Sequence, residues 1–348
     1  MTHRQTHFLE KLEFQVAAIA GAAVVYWFVW LLLIPGDPEL PICFLAGGQG
    51  EHLFTLISFA CALGIACGAI TVTARPQTAV LALALGIGGL SLRSPRIRSL
   101  LWAQQDSMHT LYWRMALEVL VLLAVIVIAG ALAGIGRRLA AALAGGLLWR
   151  DPLLQLDDER RAAYNRELAR RDAEKPSPWS AWMVLSLLSL PLGVIWVPKL
   201  NVKDEKLLGR DTAVRGVLGF MISVTVAAIV VFMLLRSPER GQILFALFAG
   251  CFLGIFIGQK VVPTRTNITA WAVPVVLGVG LYILAALSAV RTGQGAWVEV
   301  RLYAQALPID WMTAALGGAM LGHWEDLRMR EARYIEDSLD SPQTEGGN

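Results

Sequence analysis

Residues 241–261 read GQILFALFAGCFLGIFIGQKV, with one charge, Lys260, at the far end. About 20 apolar residues in a helix cross the ~30 Å hydrocarbon layer of a bilayer, so this run is long enough to span. Inside it the skeleton Cys-x-Leu-Gly-Ile-x-x-Gly occupies 251–258 as CFLGIFIG. The same skeleton stands at 61–68 as CALGIACG, again inside a long apolar run. One reading settles the class and raises a second question: why the chain uses this segment twice.

Further runs of spanning length lie at about 14–34, 53–73, 115–135, 214–235 and 268–290, and shorter ones at 76–92, 179–197 and 309–322. Across all 348 residues, 56% are hydrophobic and 16% charged, with a mean hydropathy of +0.56. Soluble domains carry roughly a quarter charged residues. The composition therefore predicts an all-α polytopic integral membrane protein of about eight transmembrane helices plus one short or re-entrant segment at 179–197. The first apolar run follows more than ten polar residues and has no small-residue cleavage site behind it. It reads as a first spanning helix, not a removable signal.

The same totals exclude several classes. A net charge of +3 gives no footprint for nucleic acid. Cys43, Cys61, Cys67 and Cys251 form no CxxC pair, and His52, His109 and His323 are isolated from one another, so no metal site is expected. There is no nucleophile elbow, phosphate loop or dinucleotide fingerprint, so no catalytic residue and no cofactor is assigned.

Charge divides the chain. Residues 35–52 contain no Lys or Arg, whereas 136–178 is dense in Arg and has acids interleaved at helical spacing. Positive charge marks cytoplasmic loops. The organisation read from this is an N-terminal transmembrane repeat (1–135), a charged cytoplasmic helical linker (136–178), a short or re-entrant segment with a basic loop (179–213), a C-terminal transmembrane repeat (214–322) and a charged, partly disordered tail (323–348). Arg-rich, Lys-poor usage points to a bacterial cytoplasmic membrane.

An internal duplication at an offset of about 190 residues answers the question of the repeated skeleton. It places Ala60, Gly64 and Gly68 on Gly250, Gly254 and Gly258, and Arg75 on Arg265. LWAQ (101–104) resembles LYAQ (302–305). Small residues at i, i+4 and i+8 open a groove along a helix, and lipid-embedded helices associate through such close approach. Each copy is thus expected to be a packing seam, either between the two copies or against a sequence neighbour. The basic loop after 179–197 favours a segment that does not span, and hence parallel repeats.

Ionisable groups inside a membrane are costly and are the first functional suspects. Glu118, with Arg114 four residues earlier, is a candidate intramembrane polar pair, which reads either as structural or as a substrate or proton site. Arg75 and Arg265 are candidate repeat-related contacts for an anion or lipid headgroup, or simply topology signals. Asp310, ahead of the last apolar run, reads as a helix cap. The expected function is a non-catalytic membrane subunit or scaffold. It would lie in the lipid bilayer and bind a protein partner through 136–178 or the C-terminal tail. The alternative is a small-solute or lipid transporter built from two repeats.

Overall fold

A computed structural model describes residues 3–104, 107–143, 212–263, 267–292 and 302–340, and no strand occurs among them. Helix α1 (His3–Val24) continues through a π turn (Val25–Val29) into Trp30–Leu33. Then come α2 (Glu51–Ile70), α3 (Pro76–Arg93), the short α4 (Arg98–Ala103) and α5 (Met108–Leu143). The second half has α6 (Thr212–Leu234), α7 (Arg240–Val261), α8 (Ile268–Thr292) and α9 (Leu316–Asp340). A single turn (Pro308–Asp310) and a π turn (Trp311–Ala315) lead into α9.

Six segments among the described residues are long and apolar enough to cross a bilayer: Leu9–Leu33, Glu51–Ile70, Met108–Leu143, Gly216–Leu234, Arg240–Val261 and Ile268–Ala289. Their outward faces carry large apolar side chains such as Trp27, Phe54, Leu117 and Phe245. Helices satisfy their own backbone polar groups, so this surface suits lipid and the chain is a multi-pass membrane protein. The 76–92 run forms the shorter apolar helix α3. The 309–322 run is the start of the helical stretch that continues to Asp340. The 179–197 segment and most of the 136–178 linker lie outside the described residues.

The chain forms two compact units, one of Met1–Leu33, His52–Gly89 and Ala124–Trp196, the other of Ile34–Glu51, Leu90–Leu123 and Val197–Asn348. In the first unit, a Cβ added at Gly64 or Gly68 would overlap the backbone carbonyls of Ala129 or Ala133 on α5. A Cβ at Gly136 of α5 would likewise overlap the Ile65 carbonyl. The constant offset of 65 residues at the first two contacts means that α2 and α5 run parallel, with backbone against backbone. Gly21 of α1 meets Gly86 of α3 in the same manner, 3.3 Å from the Cα of Gly86 to the added Cβ.

In the second unit the matching stripe turns elsewhere. Added Cβ atoms at Gly250 and Gly254 would meet Val231 and Ala227 of α6 at 2.5 and 2.6 Å, and one at Gly258 would strike Ser223. These contacts run in opposite chain directions, so α6 and α7 are an antiparallel pair. The other side of α7 receives α9, where Gly318 and Gly322 press on the carbonyls of Phe248 and Phe252. Positions aligned by the repeated skeleton therefore face non-equivalent helices. Gly64 faces α5, three helices later, and Gly254 faces α6, the helix just before. The skeleton supplies a groove, and the tertiary neighbour decides what fills it.

Candidate functional site

Among its described residues, the second unit holds two carboxylates with no solvent exposure, Glu118 and Asp310. Glu118 projects from the first turns of α5. Pro35, Gly36 and Pro38 stop the helical path of α1 and lead into a loop that the chain folds back over this acid. Residues 43–47 form one helical turn, closed by the Gly47 N–H donating to the Cys43 carbonyl at 3.0 Å. The first amides of any helical turn lack internal acceptors. Here Glu118 supplies them: Phe44 N–H donates to Oε1 at 2.9 Å, and Leu45 and Ala46 N–H donate to Oε2 at 2.9 and 3.1 Å. Gly48 adopts φ +72°, a left-handed conformation that costs glycine little, and turns the chain towards α2.

Asp310 is taken up as completely. Arg240, the first residue of α7, donates from Nη1 to Oδ2 and from Nη2 to Oδ1, both at 2.7 Å. Ser91 of α3 donates its hydroxyl to Oδ1, and the Leu307 N–H donates to Oδ2 at 2.7 Å. The Arg240 Nη2 also reaches the Ser91 carbonyl at 2.6 Å. A bidentate guanidinium–carboxylate pair is among the stronger charge-assisted contacts, and here it joins α7 to the start of the α9 stretch.

The loop adjoins this pair. Ile42 N–H donates to Ser94 Oγ at 3.1 Å, just past the end of α3 and three residues on from Ser91. Further straps are Ser99 Oγ to the Glu39 carbonyl at 2.6 Å and Gln104 Nε2 to the Ala46 carbonyl at 2.9 Å. Ile42, Cys43, Phe44 and Ala46 are buried. Burial pushes the Cys43 thiol well above its ordinary range, and the carboxylates of Glu118 and Asp310 add to the effect. On α8 the buried Tyr282 donates its hydroxyl to the Ala306 carbonyl at 2.6 Å, which fixes the approach to Pro308. Tyr282→Phe removes one buried bond, and a thermal melt in detergent should report a loss of about 1 kcal/mol.

The structure places the residues singled out from sequence as follows. Glu118 is buried on the loop amides, and Arg114 is exposed one turn earlier. In the first unit Arg75 is turned inward, with its Nε 3.5 Å from Glu10 and its backbone N–H donating to the same carboxylate at 3.3 Å. Thr78 donates to Glu10 as well, Thr73 donates to Glu13, and Arg137 donates to the carbonyls of Ala74 and Val72 at 2.5 and 3.3 Å. This cluster pins the turn between α2 and α3 to α1 and α5. Arg265 lies outside the described residues. Ala60, Gly64, Gly68, Gly250, Gly254 and Gly258 are all buried along their helices.

Sequence reasoning found Glu118 because it is the acid inside the 115–135 run, and found Asp310 as a cap. It missed Arg240, which precedes an apolar run as any interfacial arginine does, and it missed Ser91 and the loop amides. Among the described residues, no group of three His, Cys, Asp or Glu could hold a metal ion. No family model matches the chain, and neither does any curated protein or solved structure.

Proposed function

We propose that the chain is a non-catalytic membrane subunit that holds partners through its polar segments at 136–178 and in the C-terminal tail, in a bacterial cytoplasmic membrane. The observation that carries this reading is how two buried acids of the second unit, Glu118 and Asp310, are used. Glu118 accepts three backbone amides, and Asp310 accepts a guanidinium fork, a hydroxyl and an amide. Carboxylates spent in this way act as backbone caps. A general acid or base needs an oxygen within reach of a substrate proton, and a solute site needs polar groups left to offer.

The finer topology belongs to the same proposal. Together with α3 and the α9 stretch, the six long spans make eight crossings. A duplication is supported by the parallel pair α2 and α5 and by the parallel pair α7 and α9. Each pair is separated by one apolar helix and a short helical segment that carries LWA or LYA. The different neighbours of Gly64 and Gly254 weigh against it.

The transporter reading keeps one specific observation in its favour. The path into α9 is interrupted, with a single turn, a π turn and a buried charge in succession. Interrupted helices mark the binding sites of many transporters.

The deciding experiment compares three chains in native membranes: the full chain, one lacking 330–348, and one with 144–178 replaced by a Gly/Ser linker. After mild solubilisation and cross-linking, the full chain should migrate in an assembly larger than itself. The altered chains should migrate alone while still melting cooperatively. A full chain that migrates alone before and after cross-linking defeats the subunit reading. Solute uptake by proteoliposomes holding the full chain alone would establish the transporter in its place.

A further inference from the structure

The loop that Glu118 holds is attached to the second unit in an uneven way. Among the described residues, its polar attachments to the rest of the second unit come from one stretch of chain: Ser94 for the Ile42 amide, Ser99 for the Glu39 carbonyl, Gln104 for the Ala46 carbonyl and Glu118 for three successive amides. Gly47, Gly48 and Gly50 follow at one end, and Pro35, Gly36 and Pro38 precede at the other. The segment is thus bounded by residues that let or make the chain turn, and its centre is fastened by one side chain.

That fastening depends on charge. A carboxylate offers lone pairs to every donor around it, and Glu118 Oε1 takes one N–H while Oε2 takes two. A neutral acid must carry an O–H on one of these oxygens, which sets a donor against a donor. An amide left buried without an acceptor pays its full desolvation cost, so the segment must move to water or to a new partner. The titratable and charged groups around this position are Cys43 of the loop, Tyr112 on the same helix, Tyr282 of α8, Arg240 of α7 and Asp310. None of these is an alternative acceptor for three consecutive amides, because the free oxygens of Asp310 are already filled.

We propose that residues 41–46 are a plug at one end of the second unit, which is latched by ionised Glu118 and opens as a single piece when that carboxylate is neutralised, giving solvent access to the Arg240–Asp310 pair. The opening is local. The plug belongs to a connection between helices, and its withdrawal leaves the seams of α7 with α6 and α9 intact. Local opening of such a segment is cheaper than global unfolding.

The buried cysteines read this directly. Cys43 lies in the plug, Cys251 in the α7 seam and Cys67 in the first unit, and each is at most 1% exposed. In the native full chain, a water-soluble maleimide followed by peptide mass mapping should modify all three slowly and at comparable rates. Glu118→Gln mimics the neutral acid and keeps the shape of the side chain. It should accelerate Cys43 by at least about tenfold and leave Cys67 and Cys251 unchanged. Ser94→Ala removes a single strap and should accelerate Cys43 by a few fold, again alone. It decides the matter if the Glu118 variant does not fold. Unchanged Cys43 reactivity in these variants overturns the plug. A parallel rise at all three cysteines also overturns it, because Glu118 would then be holding the whole fold rather than one segment.

Discussion

Asp310→Asn is expected to lower stability by about 3–5 kcal/mol, the usual result of removing one member of a buried ion pair and stranding the other. Arg240 is the member left behind. Its side chain is 13% exposed and its two terminal nitrogens are committed to Asp310 and to Ser91. Asn offers one acceptor oxygen and turns an N–H₂ towards the guanidinium, so the mismatch comprises both charge and hydrogen bonding. The loss should appear as a lower midpoint in a thermal or SDS titration of the detergent-solubilised chain. The double variant Arg240→Leu/Asp310→Leu should recover more than half of it, because replacing both members removes the stranded charge. Arg96→Ala provides the contrast. Its pair with Glu239 is as short, 2.6 Å, but both side chains are more than half exposed. Such surface pairs contribute about 0–1 kcal/mol. Equal losses in the two single variants would remove the case for Asp310 as a structural keystone.

The seam between α2 and α5 carries the second large effect. Gly68→Ala sets a methyl group against the Ala133 carbonyl, and Gly136→Ala sets one against the Ile65 carbonyl. Backbone cannot rotate out of the way as a side chain can, so the helices must separate. Each variant should lose about 1–3 kcal/mol, the range for overpacking a close contact. The Gly68→Ala/Gly136→Ala pair should lose less than the sum, since the first separation relieves the second clash. Gly134, also on α5, meets nothing within 4 Å. Gly134→Ala should therefore be neutral or gain up to about 1 kcal/mol through helix propensity. If Gly134→Ala and Gly136→Ala behave alike, close backbone packing is not what holds α2 to α5.

These two cases show what could be read from the residues and what could not. The helices were legible because lipid imposes length and apolarity, and both are one-dimensional properties. The small-residue stripes were legible as grooves for the same reason, since spacing by four puts residues on one face. What faces each groove was not legible. The skeleton shared by 61–68 and 251–258 contains nothing that tells α5 from α6, and the choice is made by connections far along the chain. The site divided in a similar way. A lone acid in an apolar run is conspicuous, and Glu118 was marked as one. Its partners are backbone amides of Phe44, Leu45 and Ala46, which every residue but proline possesses, so no side-chain pattern announces them. Arg75 shows the converse. A repeat-matched charge at a helix end looked like a contact for lipid or anion, and the fold turned it onto Glu10, which is separated from it by 65 positions.

One consequence follows from the π turn at Trp311–Ala315. Three contacts between α7 and the α9 stretch share a single numerical step: Arg240 with Asp310, Phe248 with Gly318, and Phe252 with Gly322, each 70 apart. In an unbroken α-helix, a residue eight places on points about 80° away from the first. A π turn absorbs one extra residue, which brings that difference down to about 20°. The widened turn therefore acts as a phase correction, aiming the aspartate and the two glycines at one neighbour. Without the extra residue the aspartate and the glycines would diverge by about 80° on the α9 stretch. The irregular turn lets an ion pair and a tight seam share nearly one face of that stretch.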